Sequence, residues 1–323
     1  MLTPAQIKSV CETMSVGTAN TQGLPHVNTI EQPAQMLEVL HCPDHNELES
    51  ARACSKEGMA EKPRDVKWQD CNPKMDTGLH PSVGHPLGKD RDYTHGPEDV
   101  RRGLLDSLKA LKVDKIEIFY LHGPDGRDSY EETLRTVNEL HAEGYFDKFG
   151  ISNYVAGEVA QMCEICERQG WIRPTVYEGH YHVLQRGVED ELFPCLHHYG
   201  ISFYVYSPLA GGFLTGRYDR GQQIEDFHLS SSWNDGYYDA LDIIQPVAQK
   251  LGLTMAEMAL RWLVHHSELS QELSDAIIIG VESIGNLKSN LTDLRKGPLP
   301  EEAVRALDDA WLACKAHMPT CWR

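Results

Sequence analysis

From about residue 100 onward the chain alternates short runs rich in β-branched and aromatic residues with longer stretches of helical period. This rhythm is the strongest limit on its fold. The runs are IEIFYLH (116–122), FGIS (149–152), TVYE (175–178), FYVYS (203–207) and AIIIG (276–280). Between them, SYEETLRTVNELHAEG (129–144) places Leu134, Val137, Leu140 and His141 on one helical face. VAGEVAQMCEICERQG (155–170) does the same with Val155, Val159, Met162 and Cys166. Gly144 and Gly170 follow the last periodic residues, where a helix stops. Strand, helix and strand in steady succession form βαβ units, which build parallel sheet. MSVGTA (14–19), NELES (46–50) and DVKWQ (65–69) supply three earlier strands, making eight, the number at which a parallel α/β sheet closes. The expected architecture is therefore α/β, an eight-stranded parallel (β/α)8 TIM barrel, as one domain over residues 1–323. Residues 72–96, rich in Gly, Pro and His, are expected to form a long loop, and residues 301–323 a C-terminal helix and tail over the barrel.

Charge narrows the partners. With 48 acidic against 30 basic residues the formal charge is −18, which repels nucleic acid and anionic membrane surfaces and leaves a small molecule as the expected ligand. No apolar run approaches the roughly 18 residues of a membrane span. The opening MLTPAQIKSVCETMS lacks the cationic-then-apolar order of a secretory leader, so a cytoplasmic monomer or homodimer is expected, its nine cysteines reduced. Cys163 and Cys166 lie in a helical pattern with no second pair at metal-ligand spacing, and read as small buried side chains.

In a parallel barrel the reacting groups stand at the C-terminal ends of strands, where loops vary without disturbing the interior. That rule selects Glu49, Asp70, Cys71, His122, Ser152, Asn153, Glu178, Tyr206 and Ser207. His122 closes a strand ahead of Gly-Pro-Asp, and an imidazole there can move a proton near neutral pH or serve as a structural hydrogen-bonder. YEGHYHVLQR (177–186) adds Glu178, His180 and His182 at alternate positions, a spacing that can hold a divalent metal but that arises readily by chance among 16 histidines; no metal is expected. YSPLAGGFLTGRY (206–218) carries a glycine-rich turn followed by Arg217, a combination suited to a phosphate and equally to an ordinary turn.

VDKIEIFYLHGPD, FGISNY, YSPLAGGFLTGRY and GVESIGNLKSNL, in this order, resemble the aldo-keto reductase superfamily. ELHAEGYFDKFGISNY and GWIRPTVYEGHY bring the chain nearest to its aflatoxin-aldehyde reductase branch. The resemblance implies a barrel with NADPH across its C-terminal mouth and an Asp, Tyr, Lys and His quartet that reduces aldehydes and ketones. Against the family's Asp-Thr-Ala-x-x-Tyr run, Glu49 stands for the aspartate and Cys54 for the tyrosine. WQDCNP, set against Thr-Lys-x-Asn-Pro, puts Asp70 or Cys71 at the lysine, and His122 alone matches. Lys74 and Tyr93 in the neighbouring stretch are candidate substitutes.

For the cofactor, the resemblance assigns Ser152 and Asn153 to the carboxamide and Tyr206 to the nicotinamide ring. Ser207, Leu209, Gly211 and Arg217 fall to the pyrophosphate and Asn290 to adenine. Glu178 replaces the usual carboxamide glutamine, and Glu282 stands near the 2′-phosphate, so NADPH binding is expected to be weakened or dispensable. His180 and the terminal Trp322 and Arg323 are substrate candidates. A thiol donates poorly to a developing alkoxide. The leading expectation is therefore proton-transfer chemistry (isomerisation, dehydration or cyclisation) on a small oxygenated metabolite, with His122 and Glu49, Asp70 or His182. The alternatives are an NADPH-dependent carbonyl reductase with a substitute donor, and a non-catalytic nucleotide-binding protein.

Overall fold

The computed structural model describes residues 7–12, 47–51, 74–81, 93–218, 220, 234–280 and 283–318. Its strands are β1 (Lys8–Glu12), β2 (Glu47–Ala51), β3 (Lys74–Leu79), β4 (Ile116–Leu121), β5 (Phe146–Ser152), β6 (Pro174–His180), β7 (Ser202–Tyr206) and β8 (Ala276–Ile279). They pair in chain order, all parallel, and β8 pairs back onto β1 through Lys8 opposite Ala276, so the sheet closes into a barrel. The helices are α1 (Pro97–Leu111), α2 (Tyr130–Ala142), α3 (Ala156–Gln169), α4 (Leu192–Tyr199), α5 (Asp235–Leu251), α6 (Met255–His265), α7 (Ile284–Leu294) and α8 (Glu301–Cys314). Their starts are fixed locally: Ser129, Thr254 and Ser283 each accept from the backbone N–H three residues on.

Alternation along the strands sorts the core into two layers. Phe119, Leu121, Phe149, Ile151, Phe203 and Val205 face the helices. Val10, Ile118, Tyr120, Val176, Tyr204, Ala276 and Ile278 fill the interior of the barrel. Each of the larger aliphatic side chains among them, fully buried, contributes roughly 1.5–3 kcal/mol. The second and fourth to eighth strands lie where the sequence places them, to within three residues at the ends.

The first and third strands require correction. β1 is Lys8–Glu12 instead of MSVGTA, and β3 is Lys74–Leu79, inside the stretch expected to be loop, instead of DVKWQ. Both expected segments lie outside the described residues. The physical reason at β3 is its composition. Met75 and Leu79 belong to the outer core while the inward positions are Asp76 and Gly78, so no run of β-branched residues announces the strand. The C-terminal helix is present as α8, whereas residues 319–323 lie outside the described residues.

Inward glycines open room for large rings. A Cβ at Gly150 would stand 2.4 Å from Cδ1 and Cε1 of Tyr120, and one at Gly78 would stand 2.1 Å from Nδ1 of His122. Such distances demand that the ring move. Gly150→Ala is therefore expected to destabilise the fold by about 1–3 kcal/mol, the usual cost of overpacking. A fall in the urea midpoint at unchanged slope is the measurement that checks it.

Candidate active site

Strands β4 to β7 end together and deliver a contiguous polar group to one mouth of the barrel. The first residue beyond β4 is His122, whose backbone N–H donates to the Leu79 carbonyl at 2.9 Å, tying it to the end of β3. β5 ends in fully buried Ser152, and Asn153 follows in the left-handed region at φ 64°. This conformation is open to asparagine at low strain. It lets the Asn153 amide bridge two strands: Nδ2 donates to the His122 carbonyl at 3.0 Å and to Ser152 Oγ at 2.9 Å, while Oδ1 accepts from the Tyr206 hydroxyl at 3.1 Å. Tyr206 closes β7, and His180, the last residue of β6, stacks on its ring at 5.3 Å with planes 10° apart. His182 meets His180 edge-on at 4.8 Å.

Burial sets the charge state of these imidazoles. It pushes His122 down to about 4, with His80 adding repulsion, and it pushes His180 down to about 4. His182 is held well below 6.5 by burial first, then by His180 and Arg186. All three are neutral at pH 7. His182 Nδ1 accepts from the Leu184 N–H at 3.2 Å, which assigns its proton to Nε2, a buried atom with no hydrogen-bond partner. His122 Nδ1 is likewise buried without a partner. A bare lone pair is the cheaper atom to bury alone, so the neutral His122 carries its proton on Nε2, on the edge turned away from Gly78.

The loop beyond β6 is clamped from behind. Arg186 donates to the Val183 and Leu307 carbonyls at 3.1 and 3.2 Å and pairs with Asp308 at 2.8 Å. Its guanidinium lies 4.2 Å over the Trp262 ring. Thus α8 and α6 hold the segment that carries His182. Beyond β7 the chain turns through Ser207, Ala210, Gly211 and Gly212, all at positive φ (53°, 54°, 64° and 95°). Arg217 Nη2 lies 4.0 Å from where a Cβ at Gly212 would stand.

A profile of the Aldo/keto reductase family matches residues 87–312. The chain belongs to the aldo/keto reductase family. It is 45% identical over 294 residues to an aldo-keto reductase of Pseudocercospora fijiensis, covering 87% of this chain and 98% of the relative. It is 38% identical to the aldo-keto reductase pigE of Monascus ruber, covering 90% of each. With aflatoxin B1 aldehyde reductase member 4 of Homo sapiens the identity is 39%, over 75% of this chain and 76% of the relative. Among solved structures, a glycerol dehydrogenase from Gluconobacter oxydans shares the fold with a TM-score of 0.67 at 20% identity, over 94% of this chain and 91% of that one.

A nicotinamide dinucleotide fits the groups present in this aldo/keto reductase. The Ser152–Asn153–Tyr206 network offers both donor and acceptor atoms to a carboxamide, and the glycine turn under the Arg217 guanidinium suits a pyrophosphate. Asn290 stands on α7, which follows β8.

The structure gathers His122, Ser152, Asn153, Glu178, His180, His182 and Tyr206 at the barrel mouth. Ser207, Leu209 and Gly211 lie on the turn beside it, and Arg217 is exposed at the far end of that turn. Glu49 lies on β2 with its backbone in register with Asp76. Cys54, Asp70, Cys71, Glu282, Trp322 and Arg323 lie outside the described residues. The two proposed substitutes sit elsewhere: Lys74 pairs with Glu117 at 2.8 Å at the opposite end of β3, and the Tyr93 hydroxyl donates to Asp106 at 2.7 Å on α1.

Sequence reading missed Gly78 and His80 because it set the third strand upstream of both. The alternation Met75, Thr77, Leu79 ahead of a proline was the only signal for that strand. Cys163 and Cys166 are buried in α3, their thiols pushed up to about 12 by burial, as suits packing residues. Among the described residues, no group of three or more His, Cys, Asp or Glu converges as metal ligands do, and no helix is long and apolar enough to cross a membrane.

The neutral histidines carry a sign for stability. His95, His122 and His180 titrate near 4 in the fold and near 6.5 when unfolded. Between those values the unfolded chain binds protons that the native one refuses. Stability is therefore undiminished above pH 6.5 and falls as the pH drops toward 4. Denaturation midpoints measured across that window are expected to fall, and His95→Asn is expected to flatten the fall.

Proposed function

We propose that this chain is a nicotinamide-dependent oxidoreductase acting on a small carbonyl or hydroxyl compound, with His122 as the neutral donor that orients the substrate oxygen. The observation that carries this is the Ser152–Asn153–Tyr206 network, which pre-orders a carboxamide-sized set of hydrogen-bonding atoms beside His122. When bound, the cofactor supplies or accepts the hydride. The chain's residues do the rest: Ser152 and Asn153 fix the carboxamide, Tyr206 presents its ring, Ser207 to Gly212 with Arg217 hold the phosphates, and Asn290 meets the adenine. The His122 Nε2–H donates to the reacting oxygen.

The relatives named as aldehyde reductases make aldehydes the first substrate class to test. Glu49 and Cys54 stand where the family carries aspartate and tyrosine, so the proton reaches the alkoxide from a weak thiol donor or from water. That loss alone costs roughly 100-fold to 10,000-fold in rate.

A competing reading, proton transfer by His122 with Glu49, Asp70 or His182, asks His122 to take up a proton where burial opposes it. His182 is opposed still more strongly. The electrostatics therefore favour His122 as a hydrogen-bond donor over His122 as a base. What the proton-transfer reading retains in its favour is an imidazole at the end of β4, together with the buried Glu178 of β6.

NADPH titrated against protein fluorescence is expected to quench it saturably, with slow NADPH oxidation on adding an aromatic aldehyde. No quenching at millimolar cofactor would sink the proposal, and quenching without turnover of aldehydes or ketones would point to a nucleotide-binding protein. By the family resemblance, Glu282 stands near the 2′-phosphate, where a carboxylate would repel it. Glu282→Ser is expected to tighten NADPH by about tenfold or more while leaving NADH unchanged, as the dissociation constants of the two cofactors would reveal.

A further inference from the structure

We infer that Gly78 is the positioning residue of this site: by having no side chain it cedes to the His122 ring the interior space beside β3, and so fixes which edge of that ring faces the mouth. The geometry is direct. An ideal Cβ on Gly78 would stand 2.1 Å from His122 Nδ1, 3.0 Å from Cε1 and 3.2 Å from Cγ, so the ring lies across the place where any other residue would project. Nothing about the backbone asks for glycine there. Gly78 is a regular residue of β3, paired with Ala51 and Tyr120, and it is not among the glycines at positive φ. The absent side chain is the feature that matters.

The neighbours agree. Nδ1, the ring atom nearest Gly78, is buried without a hydrogen-bond partner, the condition of an atom pressed against a bare backbone. The His122 main chain is held from both sides, its N–H on the Leu79 carbonyl and its carbonyl on Asn153 Nδ2, so only the ring has freedom to move. The run Thr77-Gly78-Leu79-His80-Pro81 also fits the Thr-Lys-x-Asn-Pro pattern with glycine at the lysine. This placement rests on β3 as observed and competes with Asp70 and Cys71. On this alignment His122 occupies room that a lysine stem takes in relatives, and the ammonium has no counterpart on β3.

The test is the titration of His122 itself, followed by imidazole NMR and assigned by the signal lost in His122→Asn. In the parent chain its midpoint is expected well below 6.5, near 4. Gly78→Ala is expected to expel the ring toward the mouth and raise that midpoint by about one unit or more as burial is relieved. A folded Gly78→Ala protein with an unmoved His122 midpoint overturns the inference. Should the variant be too unstable to titrate, a double-mutant cycle decides. Gly78→Ala is expected to lower the melting temperature in the parent and to lower it little or not at all in a His122→Ala background; an equal loss in both overturns the inference. The importance of the ring's position to activity rests on the oxidoreductase reading proposed above. The two fail separately: absent NADPH quenching in the parent removes that reading and leaves the ring result standing.

Discussion

A closed parallel barrel has a fixed interior volume, and every inward residue must share it with its neighbours. Here the sharing is settled by two glycines. Gly150 yields its place to Tyr120 and Gly78 yields its place to His122, so that β4 can send two large rings inward from positions two residues apart. The lower ring joins the inner core with Ile118, Val176 and Tyr204. The upper one becomes the floor of the mouth. Packing and function are thus continuous along one strand, and the same steric rule that fills the barrel aims the histidine.

Burial then determines what that histidine can do. An imidazole desolvated to a midpoint near 4 is a poor base at neutral pH but a sound hydrogen-bond donor. His180 and His182 are under the same pressure, so the mouth holds a set of uncharged rings. Uncharged rings stack: His180 on Tyr206 at 5.3 Å, His182 edge-on to His180. A charged cluster at this position would repel itself and draw in water. A neutral aromatic wall beside the Asn153 amide offers a planar heterocycle a surface to lie against, which is the property the proposed nicotinamide site calls on.

How much of this was legible from the sequence varied along the chain for a physical reason. From β4 to β8, hydrophobic runs such as IEIFYL and SFYVY face packed layers on both sides, and continuous burial writes a continuous apolar signal. The residues that end those strands could therefore be named in advance, and His122, Ser152, Asn153, Glu178, His180 and Tyr206 stand at or just beyond the ends of β4 to β7. β3 defeats the same reading because its inward positions are Asp76 and Gly78, which silence the pattern on the face that defines the site. The expected lysine position, Asp70 or Cys71, lies outside the described residues. Orphaned nitrogens on His122 and His182 leave no trace in sequence at all, since they arise from what fails to surround them.

The mouth therefore divides into two arcs held in different ways. The arc from β5 through β7 and the following turn keeps groups suited to a dinucleotide, and those groups are cross-linked: moving Asn153 disturbs His122, Ser152 and Tyr206 together. The arc from β3 to β4 holds Gly78 and His122, where the ring is placed by packing against bare backbone and not by a hydrogen bond at Nδ1. At Gly78 a bare backbone leaves room, the His122 ring fills it, and the barrel stays packed. Packing asks only that volume be occupied, whereas proton delivery asks for a particular group at a particular atom.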